Sequence, residues 1–210
     1  MERFLIEFHE IAPDEKSAFA GRLKHITRQG FPPGVGMGRG NPARYDANQF
    51  FQMVAITELA QLGVRPARAI KLLSKAWPHL RGAVLQVWAS VDAADRGVTL
   101  KVLPIFWNVP AEAQRHRTRP DRPYSPDADD VMRAMTANEA QMLLTDHSGY
   151  DIRRFAFIAA HQVIADAFQH LRTGSFLGPH IRIAAFVHTM IAAPVVDAND
   201  VSLDQPAKVS

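Results

Sequence analysis

The stretch that decides the fold lies at residues 23–33 and reads LKHITRQGFPP. From Phe19 onward, apolar side chains recur at i, i+4 and i+7, which places them on one face of a helix. Gly30 then suits the left-handed backbone conformation at a helix C-terminus, and Pro32 cannot continue a helix. The sequence therefore predicts a helix over residues 17–29.

Positive charge is concentrated around this helix. From Lys16 to Arg81, eleven residues are basic and only Asp46 and Glu58 are acidic, so the segment carries +9 in a chain whose total is +3. A basic half on a near-neutral chain is the electrostatic pattern of a module that binds a polyanion. A solvated helical surface that is only incidentally basic is the alternative explanation.

A loop and two further helices are predicted downstream. Residues 34–45 include four glycines and indicate a loop with two short extended arms. Asp46 is a strong N-cap for the next helix, with Gln49 in the capping-box position. Pro66 opens a second helix, which we expect Pro78 to stop.

The order of these elements resembles the DNA-binding domain of the MerR family. In that family a recognition helix ends in a glycine and a proline-bearing turn, and a wing closes on an Arg-x-Tyr-like segment before two more helices. The counterparts here are RQGFPP at 28–33, RY at 44–45 and ELAQLG at 58–63, while residues 8–12 stand where the family has its first helix. The resemblance covers residues 14–80 and implies a winged helix-turn-helix that binds double-stranded DNA.

Eight side chains of this module are predicted to contact DNA. Side chains on a helix in the major groove read base edges, while cationic and hydroxyl groups hold phosphates. The predicted contacts are Arg22, Lys24, His25 and Arg28 on the helix, and Arg39, Asn41, Arg44 and Tyr45 in the loop. The alternative for two of them is that Tyr45 packs on the helix behind it and that Arg39 is simply solvated.

The second half of the chain predicts a hairpin followed by helices. Residues 85–91 alternate between apolar and polar, and with the apolar run at 98–107 they favour a β-hairpin. Residues 110–127 hold four prolines and four arginines, which is typical of an exposed linker or a mobile loop. The remaining predicted elements are helices at 127–144, interrupted by a capping box at Thr136 and Glu139, and at 152–171, and a helix or buried strand at 181–193.

These elements predict a mainly α fold of the α+β type. We expect a MerR-like winged-helix domain at 1–80, an α+β accessory, dimerisation or partner-binding domain at 81–196, and a flexible tail at 197–210. Residues 1–12 are interpreted as a short strand or arm that precedes the first domain.

Enzymatic and metal-dependent functions have less support in the sequence. The absence of cysteine excludes a disulfide scaffold, a thiolate zinc site and a cysteine nucleophile. The glycines of the loop lack the spacing of a nucleotide-binding motif, and no histidine pair has the spacing of metal ligands. We therefore predict no catalytic residue, no metal and no cofactor.

The predicted protein is a bacterial regulator of transcription that binds double-stranded DNA as a homodimer. Cytoplasmic, nucleoid-associated localisation is expected because the N-terminus lacks a signal-peptide pattern and no segment approaches the ~18 apolar residues of a membrane span. One alternative is an adaptor whose basic module docks on RNA polymerase or a partner regulator. Another is a small-molecule enzyme that uses the C-terminal half.

Overall fold

Seven helices and one small sheet make up the described part of the chain. The computed structural model describes residues 1–35, 43–100, 104–109, 132–145, 156–174, 176–177 and 182–192. The helices are α1 (Glu2–Phe8), α2 (Lys16–Arg28), α3 (Ala47–Gln61), α4 (Pro66–Asp95), α5 (Ala137–Thr145), α6 (Ala160–Thr173) and α7 (Ile183–Ala192). The strands are β1 (Ile105–Val109), β2 (Arg133–Thr136) and β3 (Ala156–Ile158). The predicted fold class, mainly α of the α+β type, is confirmed.

Helix α3 is the central element. Ten of its 15 residues are buried, and a helix that is apolar on all sides is stable only when other elements cover it. Helices α4 and α7 pack along it. Phe50 meets Phe4 of α1 with ring centroids 4.6 Å apart, and Phe51 meets Phe168 of α6 at 4.9 Å.

One hydrophobic cluster joins the two halves of the chain. It contains residues from Phe4 to Met190, drawn from both sides of residue 80. The boundary predicted at residue 80 lies inside α4, which is continuous for 30 residues. The N-terminal helices therefore share their core with α6 and α7.

The prediction that Pro78 stops a helix is wrong. Proline removes one backbone hydrogen bond and costs about 3 kcal/mol within a helix, yet α4 continues through it to Asp95. Leu73, Leu80 and Val87 on the two sides of the proline are all buried. Burying such side chains stabilises the helix by roughly 1.5–3 kcal/mol each, which outweighs the local defect.

The predicted hairpin between 85–91 and 98–107 is wrong because the first of these segments is helical. Within α4, Leu80, Val84 and Val87 lie at i, i+4 and i+7 and are buried. The buried residues of this segment therefore follow the period of a helix and not the alternation of a strand. The strand prediction for the second segment, residues 98–107, is partly correct, since β1 begins at Ile105.

Strand β1 is the middle strand of an antiparallel sheet with the order β2-β1-β3. Ile105 pairs with Thr136 of β2, and Trp107 pairs with Ile158 of β3. Both partners were predicted as helix, within 127–144 and 152–171. The helix predictions are wrong for these strand residues. A strand that pairs with residues far away in the sequence need not show a local hydrophobic pattern that distinguishes it from a helix.

The helical parts of those two predictions are confirmed. Glu139 N donates to Thr136 Oγ1 at 3.3 Å and Thr136 N donates to Glu139 Oε2 at 2.6 Å, so the predicted capping box starts α5. Gly174 is the C-cap of α6, as expected. Within the undecided segment at 181–193, the residues Ile183–Ala192 form a helix, α7.

The prediction of a strand or arm at residues 1–12 is also wrong, because residues 2–8 form α1. Phe4 and Leu5 are buried, and the Phe8 ring stacks on Phe4 at 5.4 Å. A helix of seven residues has marginal stability alone, so these tertiary contacts determine its conformation.

Several predictions concern residues outside the described part. They are the extended arms of the loop, of which residues 36–42 are not described, the linker at 110–127 and the tail at 197–210. Among the described helices, none combines the length and the apolar character that crossing a membrane requires.

Candidate nucleic-acid interface

Helix α2 sits on the core through one apolar face. Phe19, Leu23 and Ile26, the predicted stripe, are all buried. The helix ends in a Schellman motif: Gly30 N donates to Thr27 O at 3.0 Å and Phe31 N to Ile26 O at 3.4 Å. Gly30 has φ +78 and serves as the positive-φ residue of the motif. The helix predicted at 17–29 and its end at Gly30 are confirmed.

The opposite face of α2 is exposed and cationic. At 100° per residue, Lys24 and Arg28 lie opposite the centre of the buried stripe, and both are exposed. His25 is also exposed, and its Nε2 accepts from Gln29 Nε2 at 2.8 Å. No aspartate or glutamate occurs between Lys16 and Arg28. Three of the four predicted helix contacts therefore share one acid-free surface.

Arg22 lies apart from these three residues. Its position on the helix is about 160° from Lys24 around the axis, beside the apolar face. Its guanidinium group lies 5.9 Å from the centre of the Phe19 ring. Arg22 is exposed but belongs to the flank of α2, so the structure does not place it with Lys24 and Arg28.

The two ends of the predicted wing loop are held together by one side chain, that of Gln49. The predicted capping box is present, with Gln49 N donating to Asp46 Oδ1 at 2.8 Å and Asp46 N donating to Gln49 Oε1 at 3.0 Å. Gln49 Nε2 in addition donates to Pro33 O at 2.9 Å. A Cβ on Gly34, which has φ +79, would lie 3.2 Å from Gln49 Nε2. Gln49 thus links the residue before the loop to the residue that follows it.

We expect Gln49→Ala to lower the free energy of unfolding by about 1–2 kcal/mol, because it removes two side-chain hydrogen bonds. The variant Gln49→Glu keeps the acceptor for Asp46 N but places a carboxylate oxygen against Pro33 O where the donor was, so it should also lose stability. Urea unfolding measures both. Wild-type stability of Gln49→Glu would show that the link to Pro33 contributes nothing.

The four predicted loop contacts have different surroundings. Arg44 is exposed directly before α3, whereas Tyr45 is half-buried and packs against the hydrophobic cluster. Burial raises the pKa of the Tyr45 hydroxyl, so this group remains a neutral donor at physiological pH. Arg39 and Asn41 lie outside the described residues.

A buried histidine anchors the connection between α1 and α2. His9 Nε2 lies 2.8 Å from Thr57 Oγ1, and Gln61 Nε2 donates to His9 Nδ1 at 2.7 Å. Thr57 Oγ1 lies 2.7 Å from Val54 O and donates its single proton there, so His9 Nε2 is the donor to Thr57. Both ring nitrogens are satisfied in the neutral imidazole. Burial lowers the pKa of His9 to about 4.

We expect the chain to lose stability as the pH falls from 7.5 to 5, because unfolding lets His9 regain its ordinary pKa near 6.5 and bind a proton. The contribution of His9 to this loss is about 2 kcal/mol for the shift to about 4. Burial raises the pKa of the neighbouring Glu58, and this shift acts in the opposite direction.

Urea unfolding at several pH values, compared between wild type and His9→Gln, isolates the histidine. The variant should show a flatter dependence on pH, whereas His188→Gln, at an exposed position, should keep the wild-type dependence. Equal slopes for wild type and His9→Gln would contradict the assignment.

A cleft of about 350 Å³ lies between the α1–α2 connection, α2 and α3. Its lining combines the exposed Glu10, Glu15 and Arg22 with the buried Phe19, Leu23 and Ile26. Within the described residues, no three histidine, aspartate or glutamate side chains come close enough together to hold a metal ion. The charged groups that the exposed rim of this cleft offers are the carboxylates of Glu10 and Glu15 and the guanidinium group of Arg22.

The sequence analysis missed one anchoring residue of this region, His9, and one contact of a second residue, Gln49. His9 is 48 residues from Thr57 and 52 residues from Gln61 in the sequence, and no local sequence pattern predicts contacts over such distances. The Gln49 side chain was predicted as part of a capping box, but its bond to Pro33 depends on the path of the chain before the loop.

Comparisons of this chain with protein-family models, with curated proteins and with solved structures each give no match.

Proposed function

We propose that this protein binds double-stranded DNA and regulates transcription through a winged helix-turn-helix of the MerR kind. In this proposal α2 is the recognition helix and residues 34–45 form the wing. Residues 8–12 were expected to supply the first helix of the motif, but α1 ends at Phe8, so α1 takes that place. The observation that carries the proposal is the acid-free cationic face of α2 opposite its buried stripe.

The dimensions of α2 suit the major groove. Its 13 residues correspond to a length of about 20 Å and a diameter of about 10–12 Å, and the major groove is about 12 Å wide. Ser17 and Gly21 occupy the same exposed face as Lys24 and Arg28. Their small side chains allow the helix backbone to approach the base edges.

Each charged residue has a role that fits its chemistry. Arg28 presents a planar fork of donors that matches O6 and N7 of guanine, and Lys24 provides a point charge for a phosphate. Arg39 and Arg44 would hold phosphates from the wing, with Asn41 and the neutral hydroxyl of Tyr45 as hydrogen-bonding partners. Arg22, on the flank, would reach a phosphate at the edge of the groove.

The anchoring contacts support this arrangement. The α1–α2 connection, residues 9–15, is longer than the three to four residues of a simple helix-turn-helix, and His9 fixes it to α3 through Thr57. Gln49 fixes the base of the loop. Positioned phosphate and base contacts require such rigid supports.

Selection from a pool of genomic duplex fragments tests the proposal. The purified full chain is mixed with the pool at increasing salt concentration, and the retained fragments are sequenced. We expect salt-sensitive retention and enrichment of a defined motif, and an inverted repeat would indicate a dimer. Retention without enrichment would contradict sequence specificity. No retention at low salt would contradict DNA binding and favour an adaptor that binds an acidic protein.

A further inference from the structure

The cleft beside α2 has the size and the lining of a site for a small organic molecule. Its volume is about 350 Å³, and pockets that bind small ligands measure about 300–1,000 Å³. The floor consists of Phe19, Leu23 and Ile26, which are all buried. An apolar floor with a few polar groups at the rim is typical of such pockets. The cleft therefore fits a small ligand with an apolar body.

The charged groups at the rim do not neutralise one another. Among the described residues, the carboxylates of Glu10 and Glu15 form no hydrogen bond or ion pair, and Arg22 pairs with no carboxylate. The Arg22 guanidinium group lies 5.9 Å from the centre of the Phe19 ring. Because Glu15, Phe19 and Arg22 occupy positions i, i+4 and i+7, both charged residues lie beside the floor on the same side of α2.

Glu10 occupies a backbone position that favours glycine. Helix α1 ends in a Schellman motif, in which Glu10 N donates to Glu7 O at 3.2 Å and Ile11 N donates to Ile6 O at 3.0 Å. Glu10 has φ +50, the left-handed conformation that a glycine usually supplies in this motif. A side chain at such a position costs free energy, and residues of this kind concentrate at ligand-binding sites. The local fold does not require the Glu10 carboxylate, which lines the cleft.

We propose that this cleft binds a free α-amino acid with an apolar side chain. The ammonium group of the amino acid binds to Glu10 and Glu15, and its carboxylate binds to Arg22, whose planar guanidinium group matches a carboxylate. The apolar side chain lies on the floor of the cleft. A ligand with both charges pairs every charged group of the rim, whereas a ligand with one charge leaves a partner unpaired.

The site does not depend on the proposed function. It lies on the inner side of α2, opposite Lys24 and Arg28, so an amino acid can bind whether or not the outer face binds DNA. Arg22 is the one residue that the site shares with the proposed DNA interface. The role of Arg22 is therefore tested by changing the ligand and not the residue.

Titration of the isotope-labelled full chain with L-phenylalanine, followed by the NMR signals of its backbone amides, tests the proposal. We expect shifts that centre on the residues of the cleft and a Kd of about 1 mM or tighter. Phenethylamine lacks the carboxylate and phenylpropionate lacks the ammonium group, so each should bind roughly tenfold more weakly. Glycine lacks the apolar side chain and should bind more weakly than any of these.

Two variants and one control assign the carboxylates. Glu10→Gly removes the carboxylate and relieves the backbone, so it should unfold at a higher temperature than wild type yet bind L-phenylalanine roughly tenfold more weakly. Glu15→Gln should also bind roughly tenfold more weakly. Asp14→Asn removes the same charge from an exposed residue that does not line the cleft, and it should keep the wild-type affinity.

Three results would overturn the proposal. They are no binding of L-phenylalanine to the folded wild type, binding of phenethylamine as tight as that of L-phenylalanine, and an equal loss of affinity in Asp14→Asn and Glu15→Gln. None of them bears on DNA binding, which is measured separately with duplex fragments.

Discussion

The variant Phe51→Ala is expected to unfold with a free energy about 3–5 kcal/mol below that of wild type, the usual range for removing a fully buried phenylalanine. Phe51 is 0% exposed. Its ring lies 5.1 Å from Phe50 and 4.9 Å from Phe168 of α6. The loss should be at the high end of the range because the rings around the vacated volume cannot collapse into it without moving α3 against α6.

Urea unfolding measures this loss, with Met142→Ala as the control. Met142 is 67% exposed, so its truncation should change stability by less than about 0.5 kcal/mol. A loss below about 1 kcal/mol for Phe51→Ala would show that α3 and α6 do not share a core.

The same experiment tests whether the two halves unfold together. Far-ultraviolet circular dichroism follows the helices, and tryptophan fluorescence follows Trp77 and Trp88 in α4 and Trp107 in β1. Because the hydrophobic cluster includes residues of both halves, the two transitions should coincide, as in a two-state protein. Separate transitions would support independent folding on either side of residue 80.

The double variant Lys24→Ala/Arg28→Ala is expected to bind duplex DNA about 10–100-fold more weakly at 0.1 M salt, through the loss of two phosphate or base contacts. The salt slope should become less steep by about 0.9, because of the two residues only Lys24 is assigned to a phosphate. Both side chains are exposed, so the stability of the fold should change by no more than about 0.5 kcal/mol.

Arg3→Ala/Arg96→Ala is the matched control, since it removes the same two positive charges from elsewhere on the surface. Arg3 is paired with Glu7 and Arg96 with Asp92, each at 2.7 Å. Fluorescence anisotropy with one duplex compares the two double variants. Equal losses of affinity in the two double variants would show that net charge alone drives binding. Unchanged affinity in both would show that α2 does not contact the DNA.

Local patterns predicted those elements whose signals lie within a few residues. The stripe that starts at Phe19, the glycine at position 30 and the capping box at Asp46 each depend on spacings of three to eleven residues. Backbone geometry and side-chain chemistry act at that range. The helices α2 and α3 and the start of α5 were therefore predicted correctly.

Contacts between distant segments determined the elements that were predicted wrongly. Residues 156–158 form a strand because β1 offers hydrogen-bonding partners about 50 residues earlier in the chain. Pro78 lies within α4 because apolar residues on both sides of it are buried. Neither outcome follows from a local period, since tertiary packing overrides intrinsic propensity.

In the candidate site, too, local patterns predicted some features and contacts between distant segments determined the others. Arg22, Lys24, His25 and Arg28 were predicted as one group because all of them lie off the apolar stripe of a single helix, and the structure separates Arg22 from the other three. The flank position of Arg22 follows from the same helical geometry. The anchoring of the region by His9 and Gln49 required knowledge of how α1, α3 and Pro33 come together, which the sequence does not provide.

The most direct test of DNA binding is the affinity of the purified full chain for a duplex of about 30 base pairs, measured by fluorescence anisotropy between 50 and 200 mM salt. If the cationic face of α2 and the wing hold phosphates, the logarithm of the affinity falls linearly with the logarithm of the salt concentration, with a slope of about −3 or steeper. No binding at 50 mM salt, or binding that does not respond to salt, would contradict the proposal.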